Sequence, residues 1–124
     1  MNNTLYNDFI SHVLTFYEIP IDEFFTTKTK KNEVVRIKQL IQFVLKRKAR
    51  LPLKKIGKLV NLDHSTVFYS VKLVDTDLQY APHTREIDLR IVTEIYNMYE
   101  LRSVEARENN KEIIKNNLVG VINE

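Results

Sequence analysis

Residues Leu53 to Asp75, LKKIGKLVNLDHSTVFYSVKLVD, contain the pattern that decides the fold. The pattern predicts a short helix from about Leu53 to Val60, a tight turn at Asn61-Leu62, and a second helix that runs to about Asp75. Asp63 is the predicted N-cap of the second helix, because its carboxylate can accept hydrogen bonds from amides that the first turn leaves unpaired. Two short helices around a tight turn are typical of a helix-turn-helix.

The second predicted helix has one apolar and one polar face. Its apolar residues recur at i, i+4, i+7 and i+11, which forms one stripe: Val67, Val71, Val74 and Leu78. If that stripe is buried, the residues left near the outer face are His64, Ser65, Phe68, Tyr69 and Lys72. A helix-turn-helix offers such side chains, at the exposed N-terminal end of its second helix, to the major groove of DNA. We therefore interpret this stretch as a DNA-binding helix-turn-helix.

Length and composition restrict the class of protein. The 124 residues suit one all-α domain with a single modest core. The absence of cysteine excludes disulfides and cysteine-ligated metals, which suits a reducing cytosol. No signal peptide is apparent, and no stretch approaches the roughly 18 to 20 apolar residues of a membrane span. We expect a cytoplasmic, nucleoid-associated protein without a membrane contact.

The positive charge is concentrated in one segment. Residues 28 to 58 contain twelve Lys or Arg and one acid, a local charge of +11, whereas the other positions contain seven basic and fifteen acidic residues. A basic segment of this density indicates a polyanionic partner. The alternative is a solvated helix face, which we consider weaker because nearly all the balancing acids lie elsewhere in the sequence.

The remaining periodicities predict further helices. Leu5, Phe9, Val13 and Phe16 form the apolar stripe of a first helix over residues 4–17, and Ile21–Phe25 is a short helix with Phe24 and Phe25 in the core. A long helix is predicted over about 32–48, with one apolar stripe and several basic residues off that stripe: Arg36, Lys38, Lys46, Arg47 and Lys48. Lys28, Lys30 and Lys31 precede this helix, where its dipole disfavours cations, so we expect them to form a basic arm that reaches DNA.

Beyond the helix-turn-helix, residues 79–82 are predicted to form a turn. Thr84 is the predicted N-cap of a helix that runs from about Arg85 to Arg107. Residues 1–107 would then form the DNA-binding domain. The tail, residues 108–124, could be a docked helix, a self-association segment or frayed, and we favour a partly ordered helix.

Catalytic and metal chemistry have little support. His12, His64 and His83 are isolated from one another and show no metal-ligand spacing. Asp63, His64 and Ser65 are consecutive, so they cannot adopt the geometry of a catalytic triad. No phosphate-binding glycine loop is present. We predict a protein that is not an enzyme and that holds no cofactor and no metal.

Residues Val60–Val67, VNLDHSTV, resemble the signature of the C-terminal DNA-binding domain of the bacterial replication initiator DnaA, in which a Gly-Gly-Arg turn leads into Asp-His-Thr-Thr-Val. Flanking segments are similar as well. Residues 16–25 match an opening Tyr-Tyr-x-Ile and Val-x-x-Leu-Leu, residues 28–33 its basic loop, Lys38-Gln39 its Arg-Gln pair, and Leu53–Gly57 its Leu-Pro-Glu-Ile-Gly. The similarity covers about residues 10–102 and implies that domain's Trp-repressor-like helical fold.

The resemblance also implies roles for individual residues. Asp63, His64 and Ser65 would approach base edges in the major groove, and Thr66 would lie near a phosphate. Lys30 corresponds to the family's minor-groove arginine. The residues expected to hold the DNA backbone are Lys38, Gln39 and Lys54. Lys28, Lys31 and Lys72 complete the set of DNA-binding residues that we predict.

The chain departs from this pattern at several positions. The turn lacks both glycines and is one residue shorter, Leu62 replaces an arginine, and Ser65 replaces a threonine and its methyl group. Lys30 lacks the planar fork of an arginine. These changes put the family's own DNA site in doubt as the target.

No ATPase domain is present, so we expect a free-standing relative that acts as a monomer in replication or transcription control, with a regulatory protein partner left open. The competing interpretation is an interaction module whose basic face binds an acidic protein or RNA.

Overall fold

The computed structural model describes residues 3–26, 31–80 and 82–123, with side chains at 3–26, 31–80 and 86–109. All the secondary structure in these ranges is helical, which confirms the all-α prediction. The six helices are α1 (Thr4–Phe16), α2 (Ile21–Phe25), α3 (Asn32–Arg47), α4 (Leu53–Val60), α5 (His64–Tyr80) and α6 (Pro82–Asn123).

Proline sets the start of two short helices. Pro20 and Pro52 are extended and immediately precede α2 and α4. The fixed φ of proline prepares the chain to enter a helix, and the missing amide hydrogen costs nothing there. Both helices have the bounds that the sequence predicted.

Helix α3 lies at the centre of the core. Its predicted apolar stripe is buried along its length, at Val34, Ile37, Leu40, Ile41, Val44 and Leu45. It packs against α5 and α6, and α5 contributes Val67, Val71 and Val74 to the same core, with Leu78 packed at its edge. The predicted division of α5 into a buried and an exposed face is therefore confirmed.

The junction of α5 and α6 differs from the prediction. Helix α5 continues five residues beyond Asp75, to Tyr80, and α6 already begins at Pro82. Thr84 lies inside α6, so its assignment as the N-cap is wrong, because proline at the first position of a helix takes over the start. Helix α6 also runs through the boundary predicted at residue 107. The division into a domain and a tail therefore stays a prediction.

Helix α1 packs antiparallel to α6. The rings of Phe9 and Tyr99 meet edge to face with centroids 5.4 Å apart, and the Tyr17 hydroxyl donates a 2.5 Å hydrogen bond to Glu94 Oε2. Burial, together with Glu94, raises the pKa of Tyr17. Phe16, which was predicted to be part of the buried stripe, is 56% exposed. The buried residues of α1 end at Leu14, and Phe16 is the last residue of the helix.

A single arginine joins three helices. Arg36 on α3 donates to both carboxylate oxygens of Asp88 on α6, at 2.6 and 3.3 Å, and to Asp77 on α5 at 2.7 Å. It also donates to Gln39 Oε1 at 3.0 Å. The side chain of Asp88 is only 6% exposed. This network fixes α5 against α3 and α6 and thereby sets the orientation of the helix-turn-helix.

Candidate nucleic-acid interface

The turn between α4 and α5 depends on a glycine and an asparagine. Asn61 has a left-handed backbone, with φ of 60° and ψ of 49°, which asparagine tolerates better than most residues. The amide of Leu62 then donates to Gly57 O at 2.9 Å, which closes the end of α4. A Cβ on Gly57 would lie 2.3 Å from Leu62 O. The chain therefore needs glycine at position 57 to form this turn.

Asp63 caps α5. Its Oδ1 accepts a 2.9 Å hydrogen bond from the amide of Thr66, which confirms the predicted N-cap. This hydrogen bond, with a smaller contribution from the amide of Ser65, lowers the pKa of the Asp63 carboxyl. The carboxylate is therefore charged and held at the exposed end of the helix.

The outer side of α5 is accessible. His64, Ser65 and Thr66 are exposed on its first turn, and Lys72 is exposed further along. The neighbouring rings of Phe68 and Tyr69 are 48% and 68% exposed. These residues form a surface of hydrogen-bonding, aromatic and cationic groups, which we call the reading face and which comprises His64, Ser65, Thr66, Phe68, Tyr69 and Lys72.

An open groove separates α4 from the start of α5. Its lining brings Asp63, His64 and Thr66 next to Lys54 and Lys58. Of these, Lys58 was not in the predicted set. Its only sequence signal is that Lys54 and Lys58 are four residues apart and therefore share a face of α4. Cations consequently flank the groups that the sequence assigned to base edges.

Two side chains anchor the end of α2 beside the turn. Asn61 Nδ2 donates to Phe25 O at 3.2 Å, and Lys38 Nζ donates to Phe24 O at 2.7 Å. On the far side of the basic arm, Lys31 Nζ lies 2.8 Å from Glu23 Oε1. Lys31 is thus bonded to α2, and the end of α2 is bonded to the turn of the helix-turn-helix. Lys28 and Lys30 lie outside the described residues.

Lys38 does not occupy the position that the sequence predicted. It is 6% exposed, and its ammonium lies 5.2 Å from the centroid of the Phe24 ring. Burial lowers the pKa of Lys38. The prediction that Lys38 lies off the buried face is wrong, because its long side chain crosses the core edge to reach a carbonyl at the end of α2. Gln39 is half-buried, and its side-chain oxygen accepts the bond from Arg36.

Several other cations of the basic segment have acidic partners from distant parts of the sequence. Arg47 pairs with Asp75 on α5, and Lys48 lies 2.6 Å from Glu100 on α6. The hydrogen bond to Glu100 raises the pKa of Lys48. The local charge of +11 therefore overstates the charge of the surface. The exposed cations that remain on or beside the reading face include Lys54, Lys58 and Lys72.

The interface consists of hydrogen-bonding and charged groups. Among the described residues, no three His, Asp or Glu side chains approach closely enough to hold a metal ion. No helix in the described part of the chain is long and apolar enough to cross a membrane. Hydrogen-bond donors and acceptors at a helix end, flanked by lysines, can bind base edges and phosphates.

Comparison with known proteins agrees with this geometry. The family model described as "Bacterial dnaA protein helix-turn-helix" matches residues 7–74, which extend from α1 to the middle of α5. Two relatives are chromosomal replication initiator proteins DnaA. The one from Mycoplasma pneumoniae is 31% identical over 65 residues, and the one from Flavobacterium psychrophilum is 33% identical over 89 residues.

The alignments cover 52% and 68% of this chain but only 15% and 19% of those initiators. No solved structure matches the chain significantly. The family model spans more than half of the chain and includes the whole turn, the cap and the whole reading face. The chain therefore belongs to the bacterial DnaA helix-turn-helix family, a family of DNA-binding domains.

Proposed function

We propose that this protein binds double-stranded DNA by placing the N-terminal end of α5 in the major groove. The observation that carries the proposal is the exposure of His64 and Ser65, next to the capped Asp63, beside the lysines of α4. Asp63, His64 and Ser65 would contact base edges and Thr66 a phosphate, because these groups match the donors and acceptors of the major groove.

The basic arm and nearby lysines would hold the DNA backbone. Lys28 and Lys30 would enter the minor groove or follow its phosphates, with Lys31 at the root of the arm. Lys54, on α4, and Lys72, on the reading face, would contact phosphates. Gln39 would have to release Arg36 to contribute a contact. Lys38 is left out of this proposal, because its ammonium is directed towards Phe24 O inside the protein.

The biological role that we propose is control of replication or transcription in the cytoplasm, at the nucleoid. The two relatives are named as replication initiators, so competition for initiator sites is the simplest form of this control. Two altered residues, Leu62 in the turn and Ser65 on the reading face, would shift the preferred sequence. We propose that the protein acts as a monomer, because one reading face suffices for the contacts described.

Fluorescence anisotropy across a salt series tests the proposal. The probes are one duplex that carries a bacterial DnaA binding site and one with the same bases scrambled. Three to six phosphate contacts predict a log-log slope of about −3 to −6. Lys54→Ala should weaken binding to both duplexes and reduce the slope by about 0.9. His64→Ala should instead reduce the difference in binding free energy between the duplex with the binding site and the scrambled duplex by about 1–3 kcal/mol.

Arg107→Ala is the matched control, since Arg107 is exposed on α6 and does not line the groove beside α5. A steep slope with equal affinity for both duplexes would mean that the target is another sequence. If neither duplex binds at low salt, DNA is not the ligand. Binding to an acidic protein or to RNA that is as tight as binding to the duplexes would favour the interaction-module interpretation.

A further inference from the structure

A second depression lies on the other side of α4, facing the N-terminal end of α1. Lys54 and Lys58 border both this depression and the groove beside α5. Its lining comprises Asn3, Asn7, Phe25, Pro52, Lys54, Lys55, Lys58 and Leu59. Three of these eight residues are lysines and none is acidic. We call this the α1–α4 surface.

A contact with Tyr6 holds one cation of the α1–α4 surface in place. The Lys55 ammonium lies 5.2 Å from the centroid of the Tyr6 ring, and Tyr6 itself packs against the core. Lys54 and Lys58 are exposed and one helical turn apart. A cation–π contact on a ring fixed by the core restricts the side chain before any ligand arrives. Lys55 is thus held in place beside the two exposed lysines of the same helix.

Helix α1 adds neutral donors next to this row. Asn3 and Asn7 are exposed and one turn apart, and the side chain of Asn3 makes no capping hydrogen bond with α1. Asparagine amides are common donors to phosphate oxygens in protein–DNA complexes. Amides beside lysines, with no carboxylate in the lining, suit a phosphate strand better than they suit an apolar ligand.

The lysines are also a departure from the family pattern. Leu53–Gly57 corresponds to Leu-Pro-Glu-Ile-Gly, so Lys54 stands in place of proline and Lys55 in place of glutamate. The change at position 55 reverses a charge. The α1–α4 surface is therefore a property of this chain that the shared motif does not explain.

We infer that the α1–α4 surface binds the phosphates of duplex DNA that flanks the site read by α5. This inference rests on the proposed function, because Lys54 and Lys58 are the shared border of the two depressions. A backbone strand that passes Lys54 beside the reading face continues past Lys58 and Lys55 towards Asn7. The protein would then contact a longer stretch of DNA than the helix-turn-helix alone.

The test compares a short duplex that just covers the recognition site with one extended by about 10 base pairs, one helical turn, on both sides. The wild-type protein should bind the long duplex more tightly and with a steeper salt slope. The double variant Lys55→Gln/Lys58→Gln should lose this gain, with a slope on the long duplex reduced by about 1.8 for two phosphate contacts. Lys58 also lines the groove beside α5, so the double variant should lose part of its slope on the short duplex as well. Lys55→Gln alone should lower the slope on the long duplex by about 0.9 and leave the slope on the short duplex nearly unchanged.

Two further variants complete the design. Asn7→Asp leaves both lysines intact and places a negative charge against the strand, so it should weaken binding to the long duplex selectively. Arg90→Gln is the control for loss of an exposed cation elsewhere and should keep the gain, because Arg90 lies on α6 near Tyr17, at the opposite end of α1 from Asn3 and Asn7. Far-ultraviolet circular dichroism should show the same melting behaviour for Asn7→Asp as for the wild type.

The outcomes separate this inference from the proposed function. If the wild type binds specific duplex but the double variant and Asn7→Asp keep its length dependence and slope, the α1–α4 surface does not contact DNA, and the reading face still does. If the wild type binds no duplex, both proposals fail. If single-stranded RNA displaces the long duplex as effectively as unlabelled duplex does, flanking duplex DNA is not the ligand of the α1–α4 surface.

Discussion

Truncation of Arg36 should strongly destabilise the fold. Arg36→Ala leaves the Asp88 carboxylate, 6% exposed, without its partner, and it also removes the bond to Asp77, whose side chain is 27% exposed. An uncompensated buried charge costs about 3–5 kcal/mol, whereas an exposed pair contributes about 1 kcal/mol or less. We therefore expect a loss of about 3–4 kcal/mol, dominated by Asp88.

Urea unfolding followed by circular dichroism at 222 nm measures this loss directly. In a thermal melt, a domain of this size changes its Tm by about 4 °C per kcal/mol, so the Tm should fall by about 12–16 °C. Arg36→Ala/Asp88→Ala removes the stranded charge and should recover about half of the loss, which a double-mutant cycle reports as coupling. Arg90→Ala, at an exposed position on α6, should change stability by less than about 0.5 kcal/mol.

Two results would refute the reasoning. A loss below about 1 kcal/mol for Arg36→Ala would mean that the network contributes no more than a surface ion pair. Equal instability of the single and double variants would mean that the stranded carboxylate is not the cause.

Three further predictions concern the turn, the cap and the buried lysine. Gly57→Ala forces Leu62 O away from a 2.3 Å contact and should lower stability by about 1–3 kcal/mol in urea melts, where an unchanged midpoint would contradict the tight turn. Asp63→Ala should lower the Tm at neutral pH, whereas Asp63→Asn, which still caps the helix, should not. Because the pKa of Asp63 is lowered in the folded protein, the contribution of this carboxylate to stability is present above the usual pKa of the side chain and is lost as the pH falls through the folded value. The pKa of Lys38 is lowered in the folded protein, so the unfolded chain binds more protons than the folded protein does at pH values between that lowered pKa and about 10.5. The stability of the wild type should therefore rise with pH in that window, and Lys38→Met should abolish this rise.

The sequence predicted helices best where a local rule acts alone. Pro20 and Pro52 fix the starts of α2 and α4 through their own backbone, and the apolar stripe of α3 needs only the helical period. Thr84 failed as a cap because two local rules competed, and the proline at position 82 determined the helix start. The exposure of Phe16 depends on where α1 ends relative to the helices packed against it. The helical period of the apolar stripe does not predict that end.

The reading face was predictable because its exposure follows from the burial of Val67, Val71 and Val74 on the same helix. The charge of the basic segment was less predictable. The partners of Arg36, Arg47 and Lys48 lie on α5 and α6, and helical periodicity gives the faces of each helix but not which faces meet. The burial of Lys38 could not be predicted for the same reason, since its ammonium contacts a backbone carbonyl on another helix and such a contact has no sequence signature.

The bond from Asn61 to Phe25 O joins the end of α2, which precedes the basic arm, to the turn of the helix-turn-helix, and the bond from Lys38 to Phe24 O joins the same end to α3. In the proposed complex, this connection would fix the angle around the DNA axis between the major-groove contact of α5 and the contact of the arm. Both contacts would then form together at one rotational offset along the duplex. One inserted base pair turns the second contact by about 34° around the DNA axis. A change in the twist of the target, without any change in its bases, would therefore be felt as a change in affinity.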